Sequence, residues 1–314
     1  MIYIIIERDP LKTKQNNITI GCLCALGCEI LYGLSYMFTK QAIDLASPFA
    51  LLGWRFLIAV VAMSMLALFG VIKINFKHKK IKPLILVALF CPCIYFISET
   101  VGIIHTTSSE SGVFLACIPV ISLSASTIVL KKKPTKLQTL GILITLFGVI
   151  ITIITVGTSA SFSFIGYAFL MLAVLSYASY CIFVEKASEF SSAEITFVML
   201  VAGASLFVIL ALTEAMLKGN IRELILLPFE ERIFLVTIIY EGIGCSVIAF
   251  FLSNIALEKI GINRTSSFIG IATVVSILAG VLILHESFSA YQIIGAGVII
   301  IGVYVANIFI PKEP

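Results

Sequence analysis

The chain has 314 residues, of which 60% are hydrophobic and only 12% are charged. A soluble protein averages about 25% charged residues, so this composition excludes a soluble protein with a hydrated surface, a disordered chain, collagen and a disulfide scaffold. The net charge of +4 is small, and the mean hydropathy of +1.13 predicts an integral membrane protein.

Ten apolar runs are long enough to form transmembrane helices, each of which needs about 20 apolar residues. Numbered as spans 1 to 10, they lie at 18–39, 48–70, 83–104, 111–130, 137–156, 164–184, 194–215, 232–256, 262–284 and 290–310. Each run is continuously apolar and does not alternate, which predicts helices and not the strands of a barrel. The longest connection, 216–231, is expected to hold a short interfacial helix.

The two ends of the chain are predicted to be short cytoplasmic tails, residues 1–17 and 311–314. The apolar run Met1–Ile6 is far too short for the core of a signal peptide, and it lacks a basic leader and a cleavage site. Span 1 is therefore expected to act as an uncleaved anchor.

The distribution of positive charge predicts the orientation of the spans. With the N-terminus in the cytoplasm, 16 of the 21 Lys and Arg residues lie on the cytoplasmic side and Arg55 lies within span 2. The other four, on the outer side, are Lys40, Lys218, Arg222 and Arg232. By the positive-inside rule both termini are cytoplasmic in a cell membrane. The basic clusters 77–82 and 131–136 adjoin spans, so we interpret them as topology signals and predict no nucleic-acid partner.

The chain contains an internal repeat. At a shift of 154 residues, 84–153 aligns with 238–307 without a gap, with 13 identical pairs among 70. Apolar matches mean little in such a chain, but the last span of each half also shares one Gln and two Gly residues in phase: Gln138/Gln292, Gly141/Gly295 and Gly148/Gly302. At a shift of 144, Tyr36 of span 1 meets Tyr180 of span 6.

The repeat predicts two halves of five spans each, 18–156 and 164–310, joined by a linker at 157–163. Because five is odd, the two halves enter the membrane from opposite sides. Inverted halves of this kind build secondary transporters, in which two similar units rock about a central site and expose it to each side in turn. The predicted fold class is therefore an all-α integral membrane protein with ten transmembrane helices in two inverted five-helix repeats around a central cavity.

Several short motifs occur in an order and spacing that resemble those of one transporter family. They are the run Tyr32-Gly33-Leu34-Ser35 leading to Lys40, Arg55 in span 2, Thr107–Gly112 leading to Pro119, and Leu284-His285-Glu286 followed by Gly295 and Gly302. Over residues 18–310 the chain resembles the drug/metabolite transporter superfamily, specifically its ten-span EamA-type members. The first half departs from the pattern, because Lys132 stands where the family has a Glu.

The resemblance implies two inverted five-helix halves around a central cavity, with the fifth and tenth helices at the periphery. It also implies transport of small organic metabolites, without indicating which one.

Ionisable residues at membrane depth cost about 2.5–3.5 kcal/mol on insertion scales and therefore mark candidate sites. Glu29 lies near the middle of span 1 and shares one helical face with Tyr32, Gly33, Tyr36 and Lys40. An aromatic and polar face of this kind is typical of a cavity wall. The alternative is a protonated or hydrogen-bonded carboxyl group at a contact between helices.

Glu99, in the outer half of span 3, is the strongest single candidate for substrate binding or coupling. It shares a stripe with Pro92, Tyr95, Phe96 and Thr106, and Pro92 removes a backbone hydrogen bond and can kink the span. At the repeat-equivalent depth, span 8 carries Gly242, Gly244 and Ser246, so both spans are expected to be weakened there. Interrupted helices at matching positions are the best sequence indication of a transporter site.

Two other charged residues complete the set. Arg55 in span 2 lies at a depth compatible with Glu99, so it can form a salt bridge with Glu99, which would give both a structural role, or bind a substrate carboxylate. We favour the pairing. Glu241 lies near the middle of span 8 and is a candidate of the same rank as Glu29.

Three acids against one Arg favour a pathway for cations or protons. A carboxyl group in apolar surroundings can carry a proton near neutral pH and exchange it for an ammonium group. We therefore hypothesise that Glu99 or Glu29 couples proton movement to transport of an amine or amino acid. Tyr36, Tyr95, Tyr177 and Tyr180 can surround a cationic substrate, or can simply be core or interfacial aromatic residues.

The remaining residues favour no other chemistry. All eight Cys lie inside spans and the three His are scattered, so no metal site, cofactor or enzyme activity is predicted, although a Cu(I) site in the Cys residues is an alternative. Pro119 and the glycines of spans 5 and 10 are interpreted as kink and packing residues, and these small-residue stripes permit a homodimer without requiring one. The expected partners are a small-molecule substrate and the lipid bilayer. Alternatives are a broad exporter of lipophilic cations, a membrane enzyme and a non-transporting subunit.

Overall fold

A computed structural model describes residues 10–42, 44–106, 111, 114–154, 163–283 and 290–307. These residues are helical throughout, apart from short connections, and form no strand, which confirms the predicted all-α class. The predicted C-terminal tail and all of the predicted linker except Ser163 lie outside the described residues. The predicted N-terminal tail is partly helical, because the first helix begins at Pro10.

The described α-helices are numbered here in chain order. They are α1 (Pro10–Ala42), α2 (Pro48–Leu68), α3 (Lys82–Ala88), α4 (Tyr95–Ile104), α5 (Ile118–Val129), α6 (Lys136–Ile154), α7 (Phe164–Lys186), α8 (Ser192–Lys218), α9 (Ile221–Glu230), α10 (Arg232–Ile239), α11 (Phe250–Thr265), α12 (Gly270–Leu282) and α13 (Ala290–Asn307). One π-helical turn, Leu89–Ile94, joins α3 to α4, and another, Tyr240–Ala249, joins α10 to α11.

The described chain is that of a multi-pass membrane protein. Seven of its helices are long and apolar enough to cross a bilayer: Gln15–Thr39, Pro48–Leu68, Lys82–Ile104, Phe164–Lys186, Ser192–Lys218, Arg232–Phe268 and Ala290–Asn307. Three shorter apolar helices, Phe114–Val129, Lys136–Ile151 and Gly270–Leu282, lie where spans 4, 5 and 9 are predicted. The connection 216–231 holds α9, as expected.

Local sequence signals explain where several helices begin and end. The Ser47 side chain caps α2 by accepting a hydrogen bond from the Ala50 N–H at 3.1 Å, and proline follows in the first turn. Ser191 and Glu194 form a reciprocal capping box at the start of α8. Gly219, with φ of +70°, ends α8 in the left-handed conformation that glycine adopts without strain.

The two π-helical turns are interruptions at matching positions of the sequence repeat. Cys91 has a non-helical backbone, with φ of −138° and ψ of 120°, immediately before Pro92. Shifting this first turn by the 154 residues of the repeat places it inside the second turn, which contains Gly242 and Gly244. Irregular backbone of this kind leaves carbonyl and N–H groups less fully used than in a continuous helix.

The helices pack in pairs that the sequence repeat exchanges. Under the repeat, α1 corresponds to α7, α2 to α8, α4 to α11, α5 to α12 and α6 to α13. The packed pair α1 and α11 then corresponds to α7 and α4, which are also packed, and α1 with α12 corresponds to α7 with α5. The pairs α2 with α8 and α6 with α13 each correspond to themselves. The main core lies along α2 and α8, where Phe56 stacks on Phe207 with ring centroids 5.3 Å apart.

Glycines let α6 and α13 approach closely. A Cβ atom at Gly141 would lie 2.6 Å from the carbonyl oxygen of Gly302, and one at Gly148 would lie 2.8 Å from Ile299. These positions have a packing role, as expected from the sequence. The same glycines face the partner helix within the chain, so this part of the small-residue stripe is already covered without a dimer.

We expect Gly141→Ala to lower the free energy of unfolding by about 1–3 kcal/mol, because the added methyl group forces two backbones apart. Thermal unfolding of the detergent-solubilised protein measures the loss. Gly297→Ala on α13 is the matched control, since a Cβ atom there meets nothing within 4 Å. Equal stability of the two variants would show that close approach of α6 and α13 is unnecessary.

Candidate functional site

The four predicted ionisable residues all lie inside the helical body. Glu29 is on α1, Arg55 on α2, Glu99 on α4 and Glu241 in the second π-helical turn. Glu29, Arg55 and Glu241 are buried, and Glu99 is half-buried. Burial of four such groups requires partners, protons or a cavity, so the contacts of each decide what it can do.

Arg55 is fixed against the second π-helical turn. Its Nε–H donates to the Ser246 hydroxyl at 2.7 Å, and its Nη1 lies 3.7 Å from Oε2 of Glu241. Gly242 makes this approach feasible, because a Cβ atom there would lie only 3.0 Å from the Arg55 carbonyl oxygen. The guanidinium group also lies 4.9 Å from the centre of the Phe96 ring, a cation–π contact.

Both carboxylate oxygens of Glu241 are engaged. The Thr39 hydroxyl on α1 donates to Oε1 at 2.5 Å, and Oε2 faces Arg55. Glu241 therefore links α1, α2 and the second π-helical turn. This arrangement serves primarily to neutralise and hold together two buried charges.

The ion pair differs from the salt bridge between Arg55 and Glu99 that we had favoured from the sequence. Within the described residues the ion pair of Arg55 is with Glu241, and Glu99 instead accepts a hydrogen bond from the Tyr95 hydroxyl at 2.8 Å. Arg55 and Glu241 each lie about two helical turns from the outer end of their span. This match in membrane depth is the sequence feature that could have indicated their pairing. Depth does not say which way each side chain points around its helix.

Glu29 is the carboxyl group without a fixed partner. It is 6% exposed, and within the described residues it takes part in no hydrogen bond or ion pair. It interacts electrostatically with Tyr36 on its own helix and with Tyr177 on α7. A buried carboxyl group in this situation is suited to hold a proton or to receive a cationic group.

Tyrosines connect the two available acids. Tyr36 interacts electrostatically with both Glu29 and Glu99, and the ring centres of Tyr95 and Tyr177 are 5.8 Å apart. Tyr36 is 54% exposed although it faces this group, so there is open space beside it. We call Glu29, Tyr36, Tyr95, Glu99 and Tyr177 the acidic aromatic site; its residues lie on α1, α4 and α7.

Tyr180 is part of a different, fully packed network. Its hydroxyl donates to Oδ1 of Asn254 at 2.8 Å and lies 3.4 Å from the Ser253 hydroxyl. Asn254 in turn donates to the Thr196 hydroxyl at 3.0 Å, so this network joins α7, α8 and α11. Asn254 and Ser253 thus contact Tyr180 of another helix, and Tyr180 is 2% exposed, so it has no open face here.

The other residues and motifs singled out in the sequence lie partly within and partly outside the described residues. Pro119 lies in the first turn of α5, just after the break at Cys117. A Cβ atom at Gly244 would have the Tyr240 ring as its nearest neighbour, at 3.6 Å. Most of the Thr107–Gly112 motif, the Leu284-His285-Glu286 motif and the Lys40 side chain lie outside the described residues. Within the described ranges no group of three or more His, Cys, Asp or Glu side chains is placed to hold a metal ion.

Comparison with known proteins gives matches over nearly the whole chain. The profile of the EamA-like transporter family matches residues 19–154 and again residues 164–308. A Bacillus subtilis (strain 168) protein named uncharacterized transporter YcxC is 32% identical over 297 residues, which cover 94% of this chain and 95% of that protein. An uncharacterized transporter of Archaeoglobus fulgidus is 23% identical over 281 residues, covering 87% of this chain and 94% of that protein.

One solved structure, described as "Crystal structure of protein", is similar in fold. It superimposes with a TM-score of 0.76 at 15% identity and covers 92% of this chain and 96% of that chain. This similarity concerns the fold alone.

Proposed function

Because the chain belongs to the EamA-like transporter family and is a membrane transporter, we propose that it moves a small organic metabolite across the cell membrane by alternating access. The favoured substrate is an amino acid or an amine. The transporter is a secondary one, driven by a gradient, and protons are the proposed coupling ion.

Four observations support ten spans in two inverted halves. The family profile matches once in each half, and the seven long apolar helices and three shorter ones follow the order of the predicted spans. The packed helix pairs are exchanged by the repeat, and the two π-helical turns lie at equivalent positions. The excess of Lys and Arg on one side supports cytoplasmic termini.

The observation that carries the substrate class is the imbalance of charge in the acidic aromatic site. Arg55 forms its ion pair with Glu241, which leaves Glu29 without a basic partner and Glu99 with only a longer-range attraction to Arg55. Two acids among tyrosine rings attract a positively charged group, by charge and by cation–π contact. A substrate with an ammonium group meets both requirements.

The same two acids support proton coupling. A carboxyl group in an apolar, membrane-buried site is most easily kept there when it carries a proton or faces a cation. Glu29, with no fixed partner, can exchange one for the other as the site opens to each side. Proton release on binding would then link the substrate gradient to the proton gradient.

A ligand screen of the purified protein tests this function. We expect an amine or amino acid at 100 times its dissociation constant to stabilise the parent protein by about 2.7 kcal/mol, seen as a rise in melting temperature. The rise should disappear in Glu29→Gln or Glu99→Gln. Glu223→Gln, an exposed acid on α9, is the matched control and should keep it.

Counterflow in vesicles completes the test. The parent should exchange labelled for unlabelled substrate with a rate that depends on pH, and at least one of the two Gln variants should lose that dependence. Weak stabilisation by many lipophilic cations would favour a broad exporter instead. Unchanged pH dependence in both variants would exclude coupling through these acids.

A further inference from the structure

The two halves of the molecule differ in the contacts of α11 and of its counterpart α4. In the second half, α11 packs against α7. The corresponding helices of the first half are α4 and α1, and within their described residues no comparable packing joins them. The structure is therefore closed between α7 and α11 and open between α1 and α4, the side on which Tyr36 is exposed.

Specific side chains hold the closed pair together. The Tyr180 hydroxyl on α7 donates to Asn254 of α11 at 2.8 Å and lies 3.4 Å from Ser253. Further along α7, Glu185 forms an ion pair with Lys132 and accepts a hydrogen bond from the Ile262 N–H at 2.7 Å. These residues lie towards the end of the bundle that carries the predicted cytoplasmic loops.

The sequence repeat gives each residue of the closing contact an equivalent in the open half. Tyr180 corresponds to Tyr36 at the shift of 144 residues. Ser253 and Asn254 correspond to Glu99 and Thr100 at the shift of 154 residues. Tyr180, Ser253 and Asn254 thus each have a polar counterpart in α1 or α4.

The counterparts are not yet engaged with each other. Tyr36 is 54% exposed, whereas Tyr180 is 2% exposed. Glu99 accepts its hydrogen bond from Tyr95, and the repeat-equivalent of Tyr95 is Ala249, which has no hydroxyl group to offer Ser253. In the first half the Tyr95 hydroxyl therefore serves as a second donor, which binds Glu99 while α1 and α4 are apart.

We propose that Tyr36 is the outer gate of the transporter: in the opposite state α1 packs on α4, and the Tyr36 hydroxyl donates to Glu99 or Thr100. The inference rests on the proposed alternating access by inverted halves, because it assumes that each half takes up the arrangement now seen in the other. Glu99 then exchanges Tyr95 for Tyr36 as the site closes to the outside. The carboxyl group of Glu99 thereby helps to close the outer side of the acidic aromatic site.

Crosslinking tests whether the gate closes. We expect the double variant Tyr36→Cys/Thr100→Cys to be bridged between positions 36 and 100 in vesicles treated with a short bis-methanethiosulfonate reagent, which spans the room that the tyrosine side chain leaves. Peptide mass spectrometry identifies the bridge. The crosslink should abolish counterflow, and a reductant should restore it. The parent with its eight native Cys and the two single variants are the controls.

The Tyr180→Cys/Asn254→Cys pair, whose native side chains are hydrogen-bonded in this structure, should be bridged by the same reagent when the substrate gradient is reversed relative to the one that favours the 36/100 bridge. Absence of the 36/100 crosslink under both gradient orientations, in a variant that still transports, would overturn the gate. If the parent performs no counterflow but the 36/100 variant crosslinks, the proposed function is refuted, while the closure of α1 on α4 is still supported.

A second variant separates gating from substrate binding. Tyr36→Phe keeps the ring and removes the hydroxyl, so counterflow should slow by about two- to tenfold, the worth of one hydrogen bond. The substrate dissociation constant from the melting-temperature titration should stay unchanged. A higher dissociation constant with an unchanged maximal rate of counterflow would instead show that Tyr36 binds the substrate.

Discussion

Replacing Arg55 with Met is expected to lower the free energy of unfolding by about 3–5 kcal/mol, since it leaves a buried carboxylate without its partner. Glu241 is 2% exposed, and the Ser246 hydroxyl loses its donor in the same variant. Thr39 still donates to Glu241, but one hydroxyl group does not replace a guanidinium charge. Thermal unfolding in detergent, compared with the parent, measures the loss.

The double variant Arg55→Met/Glu241→Met is the matched control. Removing both charges together should recover most of the stability, because no uncompensated charge remains. The double variant should still transport an amine if the only role of Arg55 is to pair with Glu241. An Arg55→Met variant as stable as the parent would contradict the ion pair, and selective loss of amino-acid transport in the double variant would assign Arg55 to a substrate carboxylate.

Replacing Asn254 with Leu is expected to have the second large effect. It leaves the Tyr180 hydroxyl without its acceptor in a fully buried place, whereas the Thr196 hydroxyl loses the amide donor but still donates to the Ser192 carbonyl oxygen at 2.7 Å. A buried hydroxyl group left without its partner costs about 1–3 kcal/mol. We expect a clear fall in melting temperature, measured with and without Tyr180→Phe, so that the double-mutant cycle isolates the bond between Tyr180 and Asn254.

Ser253→Ala provides the comparison for this network. Ser253 is next to Asn254, but its oxygen lies 3.4 Å from the Tyr180 hydroxyl, near the limit for a hydrogen bond. The loss of stability in Ser253→Ala should therefore be much smaller than in Asn254→Leu. If Ser253→Ala is as destabilising as Asn254→Leu, the network does not depend on Asn254.

Hydropathy predicted the positions of the membrane helices but not their ends. Span 1 was predicted to begin at residue 18, whereas α1 begins at Pro10. Span 8 was predicted to end at residue 256, whereas its helix runs on to a break at Gly261, where φ is +70° and ψ is 172°. Hydropathy reports the part of a helix that lipid surrounds, and a helix that leaves the bilayer continues through polar residues that carry no such signal.

Most residues of the acidic aromatic site could be predicted from the spacing of residues within each helix. The contacts between residues of different helices could not be predicted in this way. The helical face of Glu29 and Tyr36, and the stripe of Tyr95 and Glu99, follow from the period of the helix. The choice of Arg55 between Glu99 and Glu241 depends on how α2 is rotated against its neighbours. The close approach at Gly242 determines that rotation, and a single sequence does not reveal which backbone a glycine faces.

The pair formed by Arg55 and Glu241 also bears on how the protein is made. Ribosomes synthesise the N-terminal half first, and the Ser246 hydroxyl that receives Arg55 comes 191 residues later in the chain. During that interval the growing polypeptide holds a membrane-embedded arginine without its permanent neutralising group, at about 2.5–3.5 kcal/mol on insertion scales. Arg55 consequently gains the two partners that it has in the folded protein, Glu241 and Ser246, only after translation of the C-terminal half.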